Sequence, residues 1–156
     1  METMKLYNGV EVPANGFGVY QVSKEDCKES VLTALKTGYR HIDTAQSYFN
    51  ESEVGEALKE SDVPRKEIFL TTKVWIDNYG EGKTYDSVVE SLKKLQTDYL
   101  DLILLHQPVG DYYAAYRDLE KLYEEGKVRA IGVSNFYPDR LVDLCMFAKI
   151  KPKVNQ

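Results

Sequence analysis

Hydrophobic and polar positions alternate between two rhythms along the chain. Short, largely apolar runs at Phe17–Val22, Tyr39–Asp43, Ile68–Val74, Leu100–Leu105 and Val128–Val133 have the length and β-branched content of strands. Between them, apolar residues recur at helical spacing: Cys27, Val31, Ala34 and Leu35; Val54 and Leu58; Val88, Leu92 and Leu95; Tyr112, Ala115, Tyr116, Leu119, Leu122 and Tyr123; Leu141, Leu144 and Cys145. Punctuation agrees with this reading. Ser23 is placed to cap the first helix and Gly38 to end it, Gly126 closes the fourth, and Pro138 opens the fifth. Ahead of these units, residues 5–7 and 10–12 flank Asn8-Gly9, a two-residue hairpin signal. A last strand begins at Val154.

Strand and helix thus alternate five times, at roughly 25–30 residues per unit, with no low-complexity linker. The expectation is one domain over 1–156, with a hairpin in 1–15 and βα units in 16–156. Near-continuous apolar strands indicate a parallel sheet covered on both faces. Periodicity alone leaves two α/β architectures open, a doubly wound sheet or part of an eight-unit barrel of about 250 residues.

In either architecture chemistry collects at the carboxyl ends of the strands. Here those ends read HID43, TTK73, LLH106 and GVSN135. Taken singly, Asp43 is a turn residue, Lys73 a snorkelling lysine, His106 a core histidine and Ser134-Asn135 a helix cap. Brought to one rim, Asp43 can neutralise Lys73, and Lys73 can stand beside Tyr48 in the loop after Asp43. An ammonium next to a phenol favours its ionised form, and a neutral imidazole can orient a carbonyl oxygen. That set suits carbonyl reduction, with a hydride delivered to carbon and a proton to oxygen.

Composition narrows the alternatives. The formal charge is −5, and no Lys/Arg cluster interleaves with aromatics, so neither nucleic acid nor an anionic membrane is expected as a partner. The N-terminus lacks the apolar core of a signal peptide, and a cytoplasmic location is expected. Cys27 and Cys145 are expected to be buried free thiols. No His/Cys/carboxylate grouping has metal-ligand spacing. Gly80-Glu-Gly-Lys-Thr84 sits where a phosphate-binding loop would, but the glycine needed at position 77 is Asp; Gly16-Phe-Gly18 lacks the third glycine of a dinucleotide fingerprint.

The segments GFGVYQV, GYRHIDTAQSYFNESEVGEAL, VPRKEIFLTTKVW, DYLDLILLHQP, EGKVRAIGVSNF and KVNQ resemble, in order and spacing, the aldo-keto reductases. The resemblance implies a (β/α)8 barrel of TIM type, closed below by the hairpin, and NADPH-dependent reduction of small aldehydes and ketones. It implies a catalytic tetrad of Asp43, Tyr48, Lys73 and His106, with Tyr48 the general acid. It places Ser134, Asn135 and Gln156 on the nicotinamide carboxamide, Val19 and Tyr20 with Asp43 along the cofactor, and Tyr20 and Trp75 beside Tyr48 and His106 around the substrate. Gln107 stands where many members carry Trp, and Asn15 where an apolar residue is usual. Five βα units and the start of a sixth strand are expected, so a C-terminal segment or a second chain would complete the barrel. A non-catalytic cofactor-sensing or partner-binding module, an inactive fragment and an open-sheet nucleotide binder are the competing readings.

Overall fold

The computed structural model describes residues 2–156. Strands β1 (Thr3–Lys5) and β2 (Glu11–Pro13) pair antiparallel, Lys5 opposite Glu11. Their connection is longer than the two-residue turn expected. Leu6 N–H donates to Val10 O and Gly9 N–H to Leu6 O, each at 2.8 Å, which leaves the three-residue loop Tyr7-Asn8-Gly9. Gly9 alone takes a positive φ, 88°, whereas the shorter turn needs two such residues. Asn8 instead donates its side-chain amide to Arg129 O at 3.1 Å, fastening the hairpin to the sheet.

Strands β3 (Phe17–Gly18), β4 (His41–Asp43), β5 (Phe69–Val74), β6 (Leu102–Leu105) and β7 (Ile131–Val133) form one all-parallel sheet in chain order. A doubly wound sheet reverses its order at a switch point; this one never does, and continuous winding is the barrel topology. Residues 153–156 extend it. Lys153 N–H donates to Ile131 O (2.8 Å), Val133 N–H to Val154 O (2.9 Å) and Gln156 N–H to Val133 O (3.0 Å), around a parallel bridge of Val133 with Asn155. The β3 run is shorter than its apolar pattern because the chain turns at Gln21, held at φ 59°.

Helices α1 (Lys24–Lys36), α2 (Glu51–Glu60), α3 (Lys83–Lys94), α4 (Tyr112–Glu124) and α5 (Pro138–Phe147) follow successive strands. Ser23 Oγ caps α1 by accepting from Asp26 N–H at 3.2 Å, and Cys27, Val31, Ala34 and Leu35 are its buried face, as the spacing predicts. The two thiols differ from expectation in one respect. Cys27 is fully buried, but Cys145 is half-buried, because α5 fully buries only Leu144. Among the described residues no helix is long and apolar enough to cross a membrane.

Strand alternation divides the apolar residues into two cores. Leu70, Ile103, Leu105, Ile131 and Val133 face the helices. Phe69, Leu102, Leu104 and Ala130 line the inner face with Val12, against Leu6, Val10 and Val154. At the amino end of the sheet, buried Asp101 accepts from Leu70 N–H (3.0 Å), Arg65 (2.9 Å) and Arg129 (2.6 Å). The hairpin and this ion-pair triad close one end and leave the carboxyl end for the polar residues.

Candidate active site

Residues at alternate positions share a face, so Lys73 continues the inner row of Phe69 and Thr71 to the carboxyl end of β5. Its ammonium is almost wholly buried, at 1% exposure for the residue. An ammonium removed from water needs fixed partners. Lys73 Nζ donates to Asp43 Oδ1 at the end of β4, to Thr44 O at 3.0 Å and to the Tyr48 hydroxyl oxygen at 3.3 Å. Asp43 and Tyr48 therefore meet through Lys73, which is the link anticipated from the sequence.

Tyr48 ends a single 3-10 turn, Gln46–Tyr48. Gln46 anchors that turn: its Oε1 accepts from Trp75 N–H and Asn78 Nδ2 (both 2.9 Å), and its Nε2 donates to Ser91 Oγ (3.1 Å) and Ser87 Oγ (3.2 Å) of α3. Asn50, fully buried, then donates to Val19 O at 3.0 Å and accepts from Thr44 Oγ1 at 2.9 Å. Sequence reasoning missed both amides. A polar residue in a polar loop is indistinguishable from a solvated one until its partners, far off in the chain, are known.

His106 follows β6, with its backbone N–H on Val74 O at 3.1 Å. Its ring packs edge-on to Tyr48 (centroids 5.7 Å apart, 77°) and to Trp75 (5.3 Å, 78°). Nδ1 lies 3.3 Å from Ser47 Oγ. Burial, and next the Lys73 ammonium, lower its pKa to about 4 despite the opposing pull of Asp43, so the imidazole is neutral at neutral pH.

Tyr20, Ser47, Tyr48, Phe49, Trp75, His106 and Gln107 surround a cavity of about 510 Å³. Tyr20 is mostly exposed, and its ring leans on Tyr48 at 5.1 Å between centroids. Val19, by contrast, is fully buried, with its N–H on Asp43 O at 3.0 Å; its backbone and not its side chain belongs to the site. Gln107 is clamped by Tyr79, whose hydroxyl donates to Gln107 O (2.9 Å) and accepts from Gln107 N–H (3.2 Å).

The strand after His106 supplies a polar cluster next to this pocket. Asn135 adopts a left-handed φ of 63° and donates its side-chain amide to His106 O and Ser134 Oγ, both at 3.1 Å. Ser134 Oγ donates to Gln156 O at 3.1 Å, and Gln156 Nε2 donates to Asp43 Oδ2 at 3.0 Å. The N-cap of α5 is Tyr137, so Ser134 and Asn135 do not serve as a helix cap. Every residue anticipated from the sequence thus falls in one connected region at the carboxyl ends of the strands.

The loop Gly80–Thr84 is not an anion cradle. The first turn of α3 is occupied: Tyr85 N–H donates to Asp118 Oδ2 at 2.9 Å, and Thr84 Oγ1 donates to Asn78 O at 2.8 Å. A carboxylate already holds the place where a phosphate would bind. Among the described residues no group of three or more His, Cys, Asp and Glu gathers as a metal site.

The sequential parallel sheet thus carries a Lys–Asp–Tyr–His constellation at its carboxyl rim. The Aldo/keto reductase family profile matches residues 13–156, and the chain belongs to that family. It is 52% identical to the glyoxal reductase of Bacillus subtilis, over 99% of this chain and 57% of that protein. It is 42% identical to a methylglyoxal reductase of Escherichia coli, over 98% and 56%. Superposition on the aldo/keto reductase of Brucella melitensis gives a TM-score of 0.97 at 44% identity, covering 99% of this chain and 62% of that one. A Bombyx mori aldo-keto reductase in complex with NADP gives 0.95 at 32% identity, covering 99% and 57%. The chain therefore spans a little over half the length of the relatives it matches, and its sheet corresponds to the first part of their TIM-type barrel.

Proposed function

We propose that the protein containing this chain reduces small aldehydes and ketones to alcohols, with NADPH as hydride donor and Tyr48 as general acid. The carrying observation is the arrangement around Lys73. Its ammonium donates to the Tyr48 oxygen, so the phenol's own O–H is left to donate toward the pocket. As Tyr48 gives up that proton to a carbonyl oxygen, the same Lys73 hydrogen bond meets the phenolate that remains. Asp43 and Thr44 O keep the ammonium in place without competing for the phenol. His106, neutral, adds a second hydrogen-bond donor that fixes the direction of the carbonyl. Tyr20, Phe49 and Trp75 give the cavity apolar walls beside the reacting bond.

The donor and acceptor inventory beside the pocket fits a nicotinamide carboxamide. The amide hydrogens of Asn135 are engaged by His106 O and Ser134 Oγ, and Gln156 Nε2 by Asp43, which leaves Asn135 Oδ1 and Gln156 Oε1 as acceptors for a carboxamide N–H2. Ser134, Asn135 and Gln156 would hold that group, with the Val19–Tyr20 segment and Asp43 along it. When bound, NADPH supplies the hydride for the carbonyl carbon. The activities of the Bacillus glyoxal reductase and the Escherichia methylglyoxal reductase support a small aldehyde or dicarbonyl as substrate, and the NADP complex of the Bombyx neighbour supports the cofactor.

The test is Tyr48→Phe in the intact protein, followed by NADPH consumption with methylglyoxal. Activity should fall by about 10²- to 10⁴-fold while NADPH binding, read by fluorescence titration, stays near wild type. Retained turnover would remove Tyr48 as the acid. A wild-type protein that binds NADPH and reduces no aldehyde would favour a non-catalytic role.

A further inference from the structure

The proposed reduction needs His106 to present an N–H, and a neutral imidazole carries only one. If that hydrogen sits on Nδ1, Nε2 offers a lone pair, which repels a carbonyl oxygen instead of holding it. We infer that Ser47 is the positioning residue that sets the tautomer of His106, its hydroxyl donating to Nδ1 so that the ring hydrogen stays on Nε2.

Three observations converge on this assignment, which rests on the functional reading above. Ser47 Oγ stands 3.3 Å from Nδ1, and Nε2 is the ring nitrogen left for a ligand in a cavity that His106 itself lines. The ring cannot readily rotate to exchange its two nitrogens, because Tyr48 and Trp75 hold it between them at 77° and 78°. Ser47 is also fixed in place: it lies between Gln46, which is bonded to Trp75, Asn78, Ser87 and Ser91, and Tyr48, which is bonded to Lys73. Three consecutive residues therefore divide the work, one anchoring, one orienting and one reacting. Protonation of the ring does not offer a second route to an Nε2–H near neutrality, since burial and Lys73 disfavour the cation.

The role differs from that of a residue touching substrate. Loss of the hydroxyl should leave Nε2–H as one of two tautomers and lower kcat, with the KM for the carbonyl moving less. The intact protein, labelled with ¹⁵N-histidine, gives the tautomer directly from its ring nitrogen shifts; His41 is the one other histidine in this chain and serves as reference. Wild type should show Nε2–H. Ser47→Ala should show a mixed tautomer and about a three- to tenfold lower kcat, and Ser47→Thr, which keeps a hydroxyl, should restore both. Nδ1–H in the wild type, or an unchanged tautomer in Ser47→Ala, would overturn the assignment and leave the proposed function standing. A wild type that reduces no aldehyde while Ser47→Ala still shifts the tautomer would overturn the function and leave tautomer control by Ser47 in place.

Discussion

At the residue scale, the site is organised around a charge that cannot reach water. Lys73 is tolerated inside because Asp43 neutralises it, and Asp43 in turn touches Gln156 through its second oxygen. Asp43→Asn removes the charge and keeps the shape. The unmatched ammonium should lower stability by about 3 kcal/mol, read as a shift in the urea midpoint; an unchanged midpoint would mean the pair is dispensable. His106 yields a pH prediction with a definite sign. Its folded pKa of about 4 lies below the ordinary 6.5, so between those values the unfolded chain binds more protons than the folded one. The stability it contributes is complete above pH 6.5 and is lost as pH falls toward 4; burial lowers the pKa of His41 too, which adds in the same direction. Denaturation curves at pH 7 and pH 5 should show the loss, and His106→Asn should reduce it. The same shift means that the proposed aldehyde reduction should show no inflection near pH 6.5.

At the element scale, close approach decides where change is tolerated. A Cβ on Gly132 in β7 would stand 2.5 Å from Val154 O and 2.9 Å from a Leu104 methyl. Gly132→Ala should therefore push residues 153–156 away from β7, costing about 1–3 kcal/mol and displacing Gln156 from Asp43; weaker NADPH binding with little change in the Tyr48–Lys73 chemistry is the expected pattern in titration and turnover. Element order and inward faces were legible from the sequence, since Ser23, Gly38, Gly126 and Pro138 mark helix ends by local chemistry. The hairpin loop was not, because Asn-Gly permits both a two-residue turn and a type I turn followed by a left-handed glycine, and the Asn8 contact with Arg129 favours the second. The four polar strand ends were readable because a parallel fold gathers them wherever they lie. Gln46, Ser47 and Asn50 were not, because their partners are set by packing between segments roughly thirty to sixty residues apart.

At the scale of the whole molecule, the two ends of the sheet carry different duties. The amino end is fastened by Asp101, which ties β5 to Arg65 and Arg129 and lies far from the pocket residues in the strand direction. Asp101→Ala should destabilise by about 3 kcal/mol in urea while the kcat of the folded fraction stays near wild type; a selective loss of kcat would show that the ends are coupled. The carboxyl end is tied outward instead. Gln46 joins the turn bearing Tyr48 to Ser87 and Ser91 on α3 and to the start of the loop after β5. Tyr48 is thus mounted on the outer layer of the fold as well as on its own loop, like a lever with its fulcrum in the wall. A designer seeking a new substrate range can vary Phe49 or Gln107 at the cavity rim, but a library that also varies half-buried Ser87 or buried Ser91 on α3, away from the cavity lining, would loosen the turn that carries Tyr48 from behind.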